Sequence, residues 1–237
     1  MIVKSCPLLE DTRARIEALN FDLPDIVLNL GDSRLNESVF GSRVILNRRK
    51  AVKRCLNKKK MFRIFKANAI PSPEYFDLSK KSDVLRAAGY CIMKREIVLR
   101  RGRDIRIAGS VRDFLRRYRD YDYATLKINK LAEWRVIVFR DKIVKVSIKR
   151  GSCFALKNAN ARFEPVYHFS KDAMKLCKRV ARIFGIDLCG IDICYDKDAE
   201  DFKIIEINSA PGMNRDSVKI FLNYLRQTDF KARERNV

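Results

Sequence analysis

The sequence predicts an α+β fold, and three observations carry that expectation. Strand-like and helical patterns follow one another without the regular βα alternation of a doubly wound parallel sheet. The run Tyr123–Arg150 alternates over three strands, with Arg140–Lys142 as the tight turn between two of them. Ser170–Phe184 carries the clearest helical period, and two strand-like runs flanking an acidic turn follow it. At 47% hydrophobic and 34% charged over 237 residues, the chain can bury a core.

Each element has a local reason. Asp25–Gly31 is a short apolar strand ended by glycine. The 45 or so residues before the first long helix are too few for a full α/β domain, so residues 1–45 read as an abbreviated N-terminal segment. From Leu46 to about Asn68 the apolar spacing is helical, with Lys and Arg between. Pro71 and Pro73 then enforce extended backbone. Ser79–Ala88 reads as a short helix and Tyr90–Leu99 as a strand. Gly102 and Gly109 mark turns, and Ser110 can cap a helix that runs to Tyr121. In Ser170–Phe184, Met174, Cys177, Ala181 and Phe184 form one apolar stripe, Ser170 can cap its start, and Gly185 stops it. A last helix runs from about Arg215 to Leu225, and residues 226–237 form a charged tail.

Charge and cysteine usage narrow the function classes. Lys and Arg number 51 against 29 Asp and Glu, a net charge of +22. Such a field attracts polyanions: ATP, acidic peptides, nucleic acid or anionic lipid. The basic clusters Asn47–Lys60 and Arg95–Arg106 stand out, although a solvated face is the commoner fate of such runs. The seven cysteines are scattered without a C-x-x-C pair, which argues against zinc and fits buried thiols in a reducing, cytoplasm-like compartment. His168 is the only histidine, so a catalytic triad or a His-metal site is nearly excluded. It reads as a surface residue leading into the Ser170 helix, and Trp134 reads as core. No apolar run approaches the roughly 20 residues of a membrane span, and the N-terminus has no secretory h-region.

The chemistry concentrates in Gly185–Asn214. Glu206 and Asn208 alternate with Ile205 and Ile207, so they share a face while the isoleucines point to the core. Asp192 alternates with Ile191 and Ile193 in the preceding run. If the two strands pair, two carboxylates and an amide converge, a hard oxygen set suited to magnesium that also binds phosphate. A polar solvent face on a hairpin explains the same pattern equally well. Asp196, Asp198, Glu200 and Asp201 lack the glycine and distal glutamate of an EF-hand loop and read as a solvated hairpin tip.

The stretch "GIDLCGIDICYD…FKIIEINSAPGMN" resembles the C-terminal signature of ATP-grasp enzymes, in which a strand Asp and an E-x-N strand pair bind two magnesium ions. "NKKKMFRIFKANAIPSPEYF" resembles the opening helix and following "gIPxP" of that superfamily. "AEWRVIVFRDKIVKVSIKR" is similar to a strand pair of its glutamate-ligase-like branch, and the small ATP-grasp group of bacteriophage genomes is similar too. The resemblance implies two α/β subdomains, about 46–125 and 126–225, that sandwich ATP. It implies an ATP-dependent carboxylate–amine ligase that works through an acyl phosphate, with magnesium (manganese as an alternative) on Asp192, Glu206 and Asn208. Its substrates would be a carboxylate and an amine, peptide or protein included. Lys94, with Lys58 or Lys59, would contact ATP phosphates, Arg103 would sit in the phosphate-covering loop, and Lys127 and Ile128 in the hinge. Arg135 with Lys149 or Arg150 would stabilise the transferring phosphate and the oxyanion, and alternation allows only one of the last two on the site face. The sequence departs from the pattern in three places. The covering loop Leu99–Ser110 has two glycines and four arginines, the hinge lacks an acidic residue, and alanines stand in Leu156–Phe163 where Gly or His is usual. A second reading, a degenerate ATP-grasp scaffold that binds nucleic acid, stays open on the +22 charge and the arginine-rich loop.

Overall fold

The computed structural model of the protein describes residues 1–5, 10–18, 25–93, 95–101, 104–150 and 162–228. Lys94, Arg103, Cys6, Cys153, most of Leu156–Phe163 and the residues from 229 onward lie outside these. Three sheets organise the described residues. The first is parallel, in the order β1 (Ile2–Ser5), β2 (Ile26–Leu30), β3 (Val44–Leu46), with helix α1 (Glu10–Glu17) between its first two strands. All five residues of β2 are buried, as expected of a parallel strand covered on both faces.

Two helices follow, α2 (Arg49–Leu56) and α3 (Lys58–Ala67), where the sequence suggests one. The break is Asn57. Its backbone is extended (φ −85°, ψ 100°), and its side chain accepts from Lys60 N at 2.9 Å, capping α3. An Asn side chain competes with the helical backbone and favours such a cap.

The second sheet has the order β4 (Tyr75–Asp77), β7 (Tyr123–Leu126), β5 (Ile97–Arg101), β6 (Asp104–Ala108), all antiparallel. Helices α4 (Lys81–Ile92) and α5 (Val111–Arg117) cover one face of it, burying Phe76, Ile97, Leu99 and Ala124. Here the expected strand Tyr90–Leu99 is corrected. Tyr90–Ile92 belong to α4 because Val84, Ala87 and Cys91 are buried at helical spacing, and the strand begins only at Ile97. Ser110 caps α5 as expected, accepting from Asp113 N.

The third sheet, five antiparallel strands, is built from β8 (Lys130–Phe139), β9 (Lys142–Arg150), β10 (Arg162–Pro165), β11 (Leu188–Asp196) and β12 (Asp201–Asn208), in the order β10-β9-β8-β11-β12. Arg140 takes φ +53° in the tight β8–β9 turn. Helix α6 (Lys171–Phe184) starts at the cap Ser170 and ends at Gly185 in the left-handed region, φ +65°. Helix α7 (Arg215–Arg226) closes the described chain.

The two faces of this sheet differ. Val136, Val138, Ile191, Ile193, Ile204 and Ile207 pack into one core with α2, α3 and α6. On the other face, Ile137, Phe139 and Leu188 join a second core with α7 and the N-terminal strands. Farther along that second face, at the same alternation, stand Glu133, Arg135 and Asp192. One end of the face is therefore apolar and covered, and the other is charged.

Candidate active site

Strand alternation and one bulge assemble the charged end. Asp192 lies directly opposite Glu206 across the β11–β12 ladder, and Asn208 lies opposite Gly190. The register shifts between Asp192 and Ile193, because Ile193 pairs with Ile204 and leaves Ile205 as the extra residue. The expectation that Ile205 points into the core is thereby corrected. The bulge resets the alternation, so Ile204 and Ile207 are buried while Ile205 and Glu206 both line the cleft. Gly190 has a packing reason. A Cβ there would lie 3.2 Å from Pro211 Cβ, tighter than ordinary contact, so glycine at 190 gives the turn after β12 room to fold back against β11.

The oxygen donors are held by cations. Arg135 donates from Nε to Asp192 Oδ1 and from Nη2 to Asp192 Oδ2, both at 2.8 Å. Its guanidinium also lies over the Phe163 ring, 4.6 Å from the centroid. Burial pushes the Asp192 carboxyl above its usual range, and the Arg135 fork only partly pulls it back. Lys58 Nζ, from the first turn of α3, reaches Glu206 Oε1 at 2.5 Å. Next along the face, Glu133 accepts from Lys130 Nζ at 2.6 Å and from Lys149 Nζ at 3.0 Å. Burial would raise this carboxyl, but the two lysines together hold it below its usual range.

The structure thus brings Lys58, Arg135, Lys149, Asp192 and Glu206 to one face, with Asn208 beyond them on β12. The other sequence candidates fall elsewhere. Lys59 turns to Asp77 Oδ1 (2.7 Å) and Ser79 Oγ (3.3 Å), away from Glu206. Arg150 points to the opposite face by alternation and pairs with exposed Glu164 at 3.1 Å. Lys127 and Ile128 connect β7 to β8. Lys127 donates its backbone N–H to Glu96 O at 2.9 Å and ion-pairs with the Glu96 carboxylate, and Ile128 O accepts from Lys130 N at 3.1 Å. His168 is exposed, and Trp134 packs at the core margin against Phe169 and Phe202. In the acidic turn, Asp198, Glu200 and Asp201 are exposed, but Asp196 is not part of a solvated tip. It is buried and paired to Lys203 at 2.5 Å.

The second sheet faces this site. Val98, Arg100, Tyr123 and Thr125 lie on its uncovered side, where β6 adds half-buried Ile105 and Ile107 in register. Between the sheets lies a cavity of about 280 Å³, counting its open mouth, whose lining includes Lys58, Phe62, Arg100, Tyr123, Ile205 and Glu206. The Arg100 guanidinium has no hydrogen-bond or ion-pair partner among the described residues. Tyr75, stacked on Phe62 at 4.6 Å, buries its hydroxyl without a partner. Sequence reasoning missed Arg100 because it ended the strand at Leu99 and gave Arg100 to the following loop. With β5 at Ile97–Arg101, alternation alone places Arg100 with Val98 on the cleft side.

The donor set suits a hard divalent ion: two carboxylate groups opposite each other and one amide, all oxygen. The Asn208 amide has no hydrogen-bond partner among the described residues. No group of three His, Cys, Asp or Glu side chains gathers there among the described residues. The two side-chain cations now on Asp192 and Glu206 mark where positive charge is needed.

No family model matches the sequence, and no curated protein matches it. Solved structures do match the fold. The ATP-grasp ligase PsnB in complex with a minimal precursor is 12% identical, with a TM-score of 0.70 over 96% of this chain and 98% of that one. Other PsnB structures contain Mg and ADP, or precursor peptide PsnA2 and AMPPNP. D-alanyl-alanine synthetase A from Vibrio cholerae is 15% identical, with a TM-score of 0.61 over 86% of this chain and 75% of that one. N5-carboxyaminoimidazole synthase from Aspergillus clavatus is 16% identical, with a TM-score of 0.58 over 78% and 53%. At identities this low the likeness speaks for architecture alone, and the architecture is the ATP-grasp fold, α+β with a cleft between two sheets.

Proposed function

We propose that the protein is an ATP-dependent carboxylate–amine ligase that forms an amide or peptide bond and releases ADP and phosphate. The observation that carries this reading is the opposed pair Asp192 and Glu206, with Asn208 two residues along β12 and Glu206 lining the cleft together with Arg100. The ATP-grasp fold of the chain and the nucleotide and magnesium in PsnB structures support it. Two magnesium ions, replaceable by manganese, are the finer part of the reading. Asp192, Glu206 and Asn208 would hold the metal, which when bound neutralises charge on the β- and γ-phosphates.

The chain's own groups would then divide the work. Lys58 and Arg100 bind phosphate oxygens from opposite sides of the cleft. Ile105, Ile107 and Ile205 offer apolar surface to the base, with the Lys127–Ile128 hinge at its edge. Arg135 and Lys149 bind the substrate carboxylate and the oxyanion. The carboxylate oxygen attacks the γ-phosphorus, the bond to the ADP oxygen breaks, and an acyl phosphate forms. A neutral amine adds to the acyl carbon, the tetrahedral adduct expels phosphate, and the amine proton leaves to solvent. Preorganised cations at the developing oxyanion lower both barriers. Glu133 keeps Lys149 aimed at this face.

Finer assignments follow the same reading. The strand pair Glu133–Val136 and Ile143–Arg150 suggests the glutamate-ligase-like branch and its small phage-type members. Five described cysteines are free and buried, and burial pushes the Cys55, Cys177 and Cys194 thiols up to about 12, which suits a reducing, cytoplasmic compartment. No helix among the described residues is long and apolar enough to cross a membrane. The nucleic-acid scaffold rests on the +22 charge and the arginine-rich Leu99–Ser110 loop. The deciding experiment is a thermal shift with Mg²⁺ and ATP, wild type against Glu206→Gln. A shift in wild type that disappears in the variant supports the site, and equal shifts in both refute it. ADP release with paired carboxylates and amines then tests ligation.

A further inference from the structure

A second concavity lies at the covered end of the five-stranded sheet, away from the cleft. It is bounded by β3, the β8–β9 turn, the C-terminal end of α6 and the last turn of α7. Its volume, about 1160 Å³, lies just above the roughly 300–1,000 Å³ of small-molecule pockets. Phe139, Ala181 and Ile186 are its buried floor, and Val44, Ile45 and Tyr224 are half-buried beside them. Five cations line it, Arg43, Arg48, Arg140, Lys142 and Arg182, against two carboxylates, Asp141 and Asp187. Arg140 is committed to Asp187 at 3.0 Å, and Lys142 lies 3.8 Å from Asp141, so the charge left for a ligand is that of the Arg48 and Arg182 guanidinium groups.

We propose that this groove docks an acidic, partly apolar segment of a polypeptide, holding a protein or peptide substrate while its reacting group enters the cleft. Guanidinium forks match carboxylates in geometry and charge, and the half-buried Val44 and Ile45 offer apolar surface to the side chains between them. Single-stranded nucleic acid would call for exposed aromatic platforms. The aromatic groups here do not offer them, because Phe139 is buried and the Tyr224 hydroxyl is turned to Ile143 O at 3.5 Å. The chain's own last residues do not complement the groove, since Lys231, Arg233 and Arg235 repeat its charge. Phe139 lies four residues along β8 from Arg135, about 13 Å at strand rise. The docked segment and the reacting residue of one chain would therefore be at least about four extended residues apart. As an assignment of substrate class this rests on the ligase reading; the docking itself does not.

The test is fluorescence anisotropy without nucleotide or metal, so that it is independent of ligase activity. The probes are a labelled 12-residue peptide of alternating Glu and Leu, a Gly–Ser peptide of the same length, and an oligothymidylate of matched charge. The expected result is binding of the acidic peptide alone or most tightly, weakening with salt, and falling at least tenfold in Arg48→Glu/Arg182→Glu. Lys66→Glu/Lys80→Glu makes the same charge change outside the groove and should leave affinity within about twofold. Melting curves of both double variants check that they fold; should the groove variant not fold, Arg48→Gln/Arg182→Gln replaces it. Absence of peptide binding overturns the proposal, and so does an equal loss in the two charge-reversal variants. Tighter binding of the oligothymidylate, lost in the groove variant, overturns it in favour of a nucleic-acid surface.

Discussion

Arg135→Met removes the fork from Asp192 and keeps most of the side-chain volume. Two charge-assisted hydrogen bonds of 2.8 Å disappear, and a carboxylate only 9% exposed is left without its cation. Breaking a buried ion pair on one side costs about 3–5 kcal/mol. The guanidinium is itself 28% exposed, so the low end applies, about 3 kcal/mol. For a chain of 237 residues, about 2–4 °C is lost per kcal/mol, which gives a fall in Tm of about 6–12 °C without metal. The double variant Arg135→Met/Asp192→Asn should recover much of that loss, because a neutral amide does not need the cation. Differential scanning calorimetry of the four proteins completes the cycle. A single-variant loss under about 2 °C would refute the argument, and so would a double variant as unstable as the sum of its singles. The metal reading adds a sign. Mg²⁺ alone should stabilise Arg135→Met more than wild type, where the ion must displace the guanidinium.

Three further outcomes are expected. Arg100→Ala should weaken ATP at least tenfold in a calorimetric titration while moving Tm by less than about 2 °C, since the side chain has no partner among the described residues to lose. Asp77→Asn should cost about 1–3 kcal/mol at neutral pH. Asp77 is buried, yet hydrogen bonds from Lys59 and Ser79 outweigh that burial and hold its carboxyl below 3.8. A depressed folded value means the stabilisation is present above about pH 4 and is lost as pH falls through the folded value, so the gap between variant and wild type should close in melts below pH 4. Gly185→Ala should cost about 1 kcal/mol by urea melt, purely from φ +65°, because the nearest atom to an added Cβ, Arg54 Nη1, lies 3.8 Å away.

The parts of the fold that follow from short-range rules were legible. Alternation placed Asp192, Glu206 and Asn208 on one face and separated Lys149 from Arg150. Ser110, Ser170 and Gly185 announced helix ends because capping is local chemistry. What was not legible depends on packing between distant segments. Tyr90–Ile92 is a short apolar run that fits helix or strand, and only the burial of Cys91 in the second sheet's core, at helical spacing from Val84 and Ala87, decides for helix. The bulge at Ile205 contains no Gly or Pro to mark it; it exists because Ile204 and Ile207 both reach the same core. The partners of the charged residues were hidden for the same reason. Arg135 and Asp192 are 57 positions apart, and Lys58 and Glu206 are 148 apart.

Those two long-range pairs constrain how the cleft can change state. Asp192 and Glu206 bring two negative charges to a partly buried face, and one guanidinium and one ammonium compensate them. A divalent ion bound by the same oxygens would bring an equal positive charge. On the proposed reading, for the first ion bound, ion and side chains exchange places with no net change in the charge buried, so that exchange avoids the several kcal/mol that an uncompensated buried ion costs; a second ion would be balanced by the phosphates it arrives with. The cations it releases are not lost to the reaction. Lys58 sits in the first turn of α3 and Arg135 beside Lys149, so both would be freed within a side chain's reach of the anionic phosphates and carboxylate that arrive with the metal. The pairing in the metal-free protein is then a store of positive charge. Its size is set by the two carboxylates, and its direction of release is set by the elements on which Lys58 and Arg135 stand.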